Sequence, residues 1–146
     1  MKIGKHFTVA ELTHSQAAAR KGLKNDPDAA ALESLQLLVR NVLDPLRESL
    51  ARPITVSSGY RSPLVNRAVG GASSSQHVLG QAADIVVPGM HVTEVVACIR
   101  ALGLPVDQCL EEFGSWVHVS YSPRHRRQFL RVRRTGAGIV KYEAIP

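Results

Sequence analysis

Cysteine is scarce in this 146-residue chain. There are two, Cys98 and Cys109, in the apolar settings EVVACIRAL and VDQCLEE and without a C-x-x-C spacing. Those settings predict buried free thiols and make a disulfide framework unnecessary. No apolar run is long enough to span a bilayer, which excludes insertion into a membrane as a helix. The N-terminal MKIGKHFTVAEL begins with basic residues but has no apolar stretch behind them, so it does not read as a secretory leader. Synthesis in the cytoplasm without a signal peptide is the expectation. No internal repeat is visible. Despite the serine run at 73–75, there is also no G-x-S-x-G turn to raise a serine to a nucleophile.

What is present has the make-up of an ordinary globular protein, 45% hydrophobic and 21% charged, with a length that suits one domain over 1–146. The formal charge is +6, and it gathers late, in SPRHRRQFLRVRR from Ser122 to Arg134. Such a cluster favours an anionic partner through long-range attraction. Only Phe129 is interleaved there, a poor fit to base stacking, so no nucleic-acid partner is expected. A monomer is expected.

Local signals place the elements. Thr8 and Glu11 have capping-box spacing behind Phe7, and SQAAARKG reads as a second short helix closed by Gly22. The main helix is predicted from Asp26 as N-cap and Pro27 at the first helical position, with Leu32, Leu35, Leu38, Val42, Leu46 and Leu50 at helical spacing. Pro45 falls inside that pattern, where a kink or break is expected. ITVSSGYRSP reads as a strand and a tight turn, followed by a short helix from Pro63 to Val69 and a flexible GGASSS. AADIVV is a second strand and HVTEVVACIRALGLP an amphipathic helix. VDQCLEEF, WVHVSY and QFLRVRR are short strands joined by turns. Helices come first and strands collect later, which favours an α+β fold.

Histidine and carboxylate are ligands for a divalent zinc ion, and a catalytic zinc keeps three protein ligands with a fourth position open. His77 and Asp84 flank a segment kept small by Gly80, Ala82 and Ala83. An aspartate leading into IVV is costly to bury unless it is paired or bound to a metal. A third ligand must come from elsewhere. His118 is a candidate, on an alternating strand where Trp116, His118 and Ser120 share one face and Val117 and Val119 the other. Taken singly, either histidine could equally be a structural residue.

Together these residues resemble the zinc D-Ala-D-Ala peptidase family. Ser75 to Asp84, SQHVLGQAAD, is similar to its S-x-H-x-x-G-x-A-x-D signature. Trp116-Val-His118 resembles its late W-x-H element, and Ser57 to Ser62, SSGYRS, its S-G-Y-R-S turn. The likeness runs from FTVAEL to WVHVSY and is nearest to the small members among phage lysis enzymes. It implies a hedgehog/DD-peptidase fold, N-terminal helices on a small, mainly antiparallel sheet, and zinc held by His77, Asp84 and His118. The implied substrate is the peptidoglycan stem peptide, cut as a D-Ala-D-Ala carboxypeptidase or an L-Ala-D-Glu endopeptidase. Arg61 and Ser75 are implied to meet its carboxylate or scissile carbonyl. Release through a holin-type pore is implied as well.

Many relatives carry the catalytic acid three residues before the last histidine ligand, where this chain has Ser115. A carboxylate must then arrive from Glu111 or Glu112. A two-residue loop at Gly114-Ser115 sets Glu111 opposite His118, whereas a three-residue loop, Phe113-Gly114-Ser115, sets Glu112 opposite Trp116 on the ligand face. Glu112 is favoured, and the E-F-G-x-W-V-H arrangement of the small phage-type members implies the same. The alternatives are two glutamates solvated on an edge strand, or a non-catalytic peptidoglycan-binding module with a structural zinc.

Overall fold

The computed structural model describes residues 1–146. Helices α1 (Val9–Thr13) and α2 (Gln16–Lys21) lead into a long helical rod. The Thr8–Glu11 capping box forms as expected, Phe7 is buried behind it, and Gly22 ends α2 in the left-handed region. The rod consists of α3 (Ala29–Leu38), a π-helical turn (Val39–Leu43) and α4 (Asp44–Leu50). Its N-cap is Asp28, whose carboxylate accepts from Ala31 N, and not the expected Asp26. Asp28 sits three residues before a free amide, the reach a cap needs, and so Pro27 lies ahead of the helix.

Pro45 does not break the rod. The preceding turn widens instead, and the Asp44 amide reaches back five residues to the Val39 carbonyl. A wider turn makes room for a ring that an α-helical turn would clash with. Leu35, Leu38, Val39, Val42, Leu43 and Leu46 are all fully buried, so the apolar stripe stays in phase through the irregular turn.

The remaining elements are β1 (Thr55–Ser58), α5 (Pro63–Ala68), β2 (Ala82–Val86), α6 (Val92–Ala101), β3 (Gln108–Glu112), β4 (Trp116–Ser120), β5 (Gln128–Arg134) and β6 (Val140–Ala144). They form one six-stranded sheet in the order β1-β2-β4-β3-β5-β6. All pairs are antiparallel except β3 with β5, which is parallel. The parallel pair arises because residues 121–127 carry the chain from the end of β4 across the start of β3 to its far side. Strand β6, at the sheet edge, carries no sequence signal of the strength of the others.

Alternation along the strands sorts the two faces. Ala83, Ile85, Val117 and Val119 join the core with the helical rod and the Val95, Val96 and Ile99 face of α6. Asp84 and His118 therefore point the other way. Cys109 is buried and Cys98 half-buried, both as free thiols, and burial pushes the Cys109 thiol up to about 12.

The crossing at residues 121–127 is fastened by Asp107, which no sequence signal singled out. Its side chain is fully buried, and its carboxylate accepts from Arg126 N and Nε (both 2.9 Å), Arg126 Nη2 (2.8 Å) and Gln76 Nε2 (2.9 Å). Its backbone joins Ser120 and Gln128. The Arg126 hydrogen bonds outweigh burial and hold this carboxyl well below the usual carboxylate range. A depressed carboxylate stabilises the fold above its ordinary pKa and loses that contribution as pH falls below it. Asp107→Asn should therefore cost about 2–3 kcal/mol at pH 7, since it leaves buried donors facing an amide. In melting curves the gap to the parent should stay constant from pH 7 to about 5, begin to narrow below roughly pH 4 and close only as pH falls through the depressed value. A gap still at full size at roughly pH 2 would show that packing, not charge, is what Asp107 supplies.

Candidate metal centre

Strand pairing sets two of the candidate ligands side by side. Asp84 on β2 is directly opposite His118 on β4, and His118 Nδ1 lies 3.0 Å from Asp84 Oδ1. His77 enters from the loop before β2, with Nε2 at 3.3 Å from the same oxygen. The three donor atoms all lie within 4.8 Å of one another, and no other group of three such side chains converges in the structure. His6, His14, His91 and His125 are elsewhere. His6 meets Glu48, His91 caps α6, and His125 packs on Tyr121.

Two glycines let the His77 loop close. Gly80 has φ +73°, and a Cβ there would meet the Ala31 carbonyl oxygen at 2.3 Å. Gly59 has no positive φ, but a Cβ there would collide with the Leu12 carbonyl oxygen. The Gly59 carbonyl accepts from His77 Nδ1 at 2.7 Å. That bond orients the ring and turns Nε2 into the cluster beside Asp84, the orientation a metal-ligating imidazole requires. Gln76, next in the chain, ties the loop to Asp107.

The donor set fits a divalent ion. Two imidazole nitrogens and a carboxylate oxygen suit zinc, and ligands at about 2.0–2.1 Å from a tetrahedral ion stand roughly 3.3 Å apart, close to the two separations from Asp84 Oδ1. Asp84 and His118 are 8% and 9% exposed and His77 is 3%. Burial works to raise the Asp84 carboxyl, but hydrogen bonds from His118 and His77 outweigh it and hold the group well below the usual range.

Arg61 has no carboxylate close to it in sequence but meets one across the sheet. Its Nη2 is 3.6 Å from Asp84 Oδ2, Nε donates to Ser58 Oγ (3.1 Å) and Nη1 to Asn66 Oδ1 (3.3 Å). The contact was invisible in sequence because β1 and β2 bring positions 58 and 84 together only by pairing. Asn66, 3% exposed, also donates to the Ala72 carbonyl, so the GGASSS stretch is tethered. Ser75 Oγ accepts from His77 N at 3.2 Å, a local turn bond, and the residue is half-buried beside the cluster.

Strands β3 and β4 put the two glutamates on opposite faces. Glu112 is paired with Trp116 and Glu111 with Val117, the register of the three-residue loop Phe113-Gly114-Ser115. Both Phe113 (φ 55°) and Gly114 (φ 66°) are left-handed, one more such residue than Gly114 alone announces. Glu112 thus stands on the ligand face, Oε1 3.9 Å from His118 Nδ1. Glu111 is on the core face, 6% exposed and bound to Arg131. Neither is solvated on an edge, because β5 covers β3.

Burial is the largest influence on Glu112 and raises its carboxyl above the ordinary value. The charge of Asp84 works in the same direction, and His118, Trp116 and Arg61 oppose it. The Trp116 indole nitrogen is buried with no partner at hydrogen-bonding geometry, though it stands near enough to favour the charged form of Glu112. An orphaned donor of this kind costs about 1–3 kcal/mol until an acceptor arrives.

A family model described as peptidase M15 matches residues 5–120. A curated relative, the zinc D-Ala-D-Ala carboxypeptidase of Streptomyces albus G, is 37% identical over 81 residues. The aligned stretch covers 55% of this chain and 31% of that protein, so the chain matches about a third of the relative's length.

Proposed function

Since the chain belongs to the peptidase M15 family, we propose that it is a zinc-dependent peptidase that hydrolyses an amide bond in the stem peptide of peptidoglycan. The observation that carries this reading is the placement of Glu112 beside the His77, Asp84 and His118 cluster and on the same face of the sheet. Those three side chains would hold the zinc ion. When bound there, zinc supplies Lewis-acid polarisation of the scissile carbonyl and lowers the pKa of water. The names of the family and of the curated relative support the choice of metal and substrate class.

The chain's own residues divide the remaining work. Glu112, with its proton affinity raised by burial, accepts a proton from the attacking water and returns it to the departing amine. Arg61 presents its fork to the substrate's carboxylate or developing oxyanion while it steadies Asp84. Ser75 shapes the His77 turn and lines the approach. No covalent intermediate is needed.

The α+β arrangement, with the helical rod on one face of the sheet and the cluster on the other, supports a hedgehog/DD-peptidase fold acting as one domain over 1–146. The E-F-G-x-W-V-H arrangement from Glu112 to His118 supports a phage-type lysis role, with release to the wall through a holin-type pore. Mass spectrometry of digested peptidoglycan tests the reading, because it identifies whether the D-Ala-D-Ala or the L-Ala-D-Glu bond is cut. Intact stem peptides after digestion, with chelator making no difference to turbidity, would leave a binding module in its place.

Arg61→Lys should lower kcat/KM by ten-fold or more while zinc content is retained. An ammonium cannot span Ser58, Asn66 and Asp84 as the guanidinium does. Loss of zinc in this variant would reassign Arg61 to holding the metal site together.

A further inference from the structure

The charge of this chain is not spread over it. Seven of the eighteen Lys and Arg residues and one of the twelve Asp and Glu lie beyond residue 120. The first 120 residues hold eleven of each sign and are formally neutral, so the last 26 carry the whole +6. The family match also ends at residue 120. The stretch outside it builds the crossing loop, β5 and β6 at one edge of the sheet.

Two of the seven cations are committed to the fold: Arg126 is bound to Asp107 and Arg131 to Glu111. The other five are exposed. Arg124 and Arg127 have no carboxylate within salt-bridge distance, Arg134 lies over the Phe113 ring, and Arg133 and Lys141 share Glu143. Arg124 and Arg127 flank the start of β5, and Arg133, Arg134 and Lys141 cluster at its far end. A seven-residue strand is about 23 Å long, so the cations mark both ends of a stripe that can meet several charges of an extended chain. Phe129, the aromatic within the run, packs against the core under Arg100 and is not free to stack on a base.

We infer that the β5–β6 edge is a docking surface for an anionic, phosphodiester-linked polymer of the cell wall. It would hold the enzyme on the wall while the face carrying Glu112 works on the peptide. The register places this surface one strand from the proposed base, since Val132 on β5 pairs with Glu112. The inference rests on the proposed peptidase role for the choice of a wall polymer over a nucleic acid. The bland alternative is that edge cations only discourage strand-to-strand aggregation.

The test uses the full chain with Glu112→Gln, so that walls are not digested, and co-sedimentation with walls that retain their phosphate polymers or have been stripped of them by hydrofluoric acid. Stripping should weaken binding by about ten-fold or more at low salt, and added salt should weaken it steeply. Combining Arg124→Gln, Arg127→Gln, Arg133→Gln, Arg134→Gln and Lys141→Gln should reproduce the loss. If that combination lowers the melting temperature, the Arg124→Gln/Arg127→Gln pair alone should still weaken binding several-fold. The same substitutions with Glu112 intact should hydrolyse a soluble stem peptide at the parental rate, which separates failure of docking from failure of the peptidase reading. Equal binding to stripped walls, undiminished binding by the variants, or tighter binding to single-stranded DNA than to the wall polymer at 150 mM salt would each overturn the inference.

Discussion

Glu112→Gln should leave zinc in place and lower hydrolysis by roughly two to four orders of magnitude, the usual worth of a positioned general base. The amide keeps the shape of the side chain and removes its affinity for a proton. The expectation depends on a register: Glu112 opposite Trp116 puts the carboxylate on the face of His118 and Asp84, where it is half-buried and raised in pKa. Glu111 is one residue away but on the other side of the sheet, closed in by the core and bound to Arg131. Glu111→Gln should therefore keep activity within about two-fold and cost about 1–2 kcal/mol of stability through the lost charge-assisted bond. Steady-state rates on a soluble stem peptide, with melting curves beside them, separate the two. The reverse pattern would place the base on the core face, and normal rates in both would remove glutamate from the mechanism.

His77→Ala and His118→Ala should each abolish tight zinc binding, and with it all measurable hydrolysis. Losing either imidazole leaves two of the three buried ligands, and the carboxylate beside them, Glu112, is no substitute for a nitrogen donor and is needed free as the base. Asp84→Asn should act likewise and also strip Arg61 of its ionic partner, so its melting temperature should fall further than that of Asp84's neighbours. Substituting His6, His14, His91 or His125 should leave one zinc per chain. Elemental analysis after dialysis decides it. Zinc retained in both the His77 and His118 variants would disprove the assignment, whatever the activity.

The parts of this molecule that sequence makes legible are those governed by short-range rules. The Thr8 cap, the Gly22 stop, the buried face of the rod and the alternation of Trp116 to Ser120 each depend on residues a few positions apart. The placement of Glu112 on the face of His118 was legible for the same reason, because loop length alone fixes which neighbour shares a face. What escaped is long-range. Asp107 looks like an ordinary strand-edge aspartate until residues 121–127 fold across it, and Arg61 looks unpaired until two strands bring Asp84 beside it. At Pro45 the steric argument, which led to a kink or a break, located the irregularity but not its form: the helix continues through a π turn.

The parallel seam between β3 and β5 has one more consequence. Were the sheet to stop at β3, the amides and carbonyls of Gln108–Glu112 on that side would open to solvent and could fray in milliseconds. With β5 laid along them, and Phe113 N bonded to Val132 O at 2.9 Å, the strand that carries Glu112 is enclosed on both sides. Its amides should rank among the slowest in the chain to exchange with deuterium, far slower than those of β6. The backbone of β5 would then govern how still the proposed base is held, so a change that breaks its pairing with β3 would alter turnover, whereas replacing the exposed side chains of residues 121–146 leaves that pairing in place.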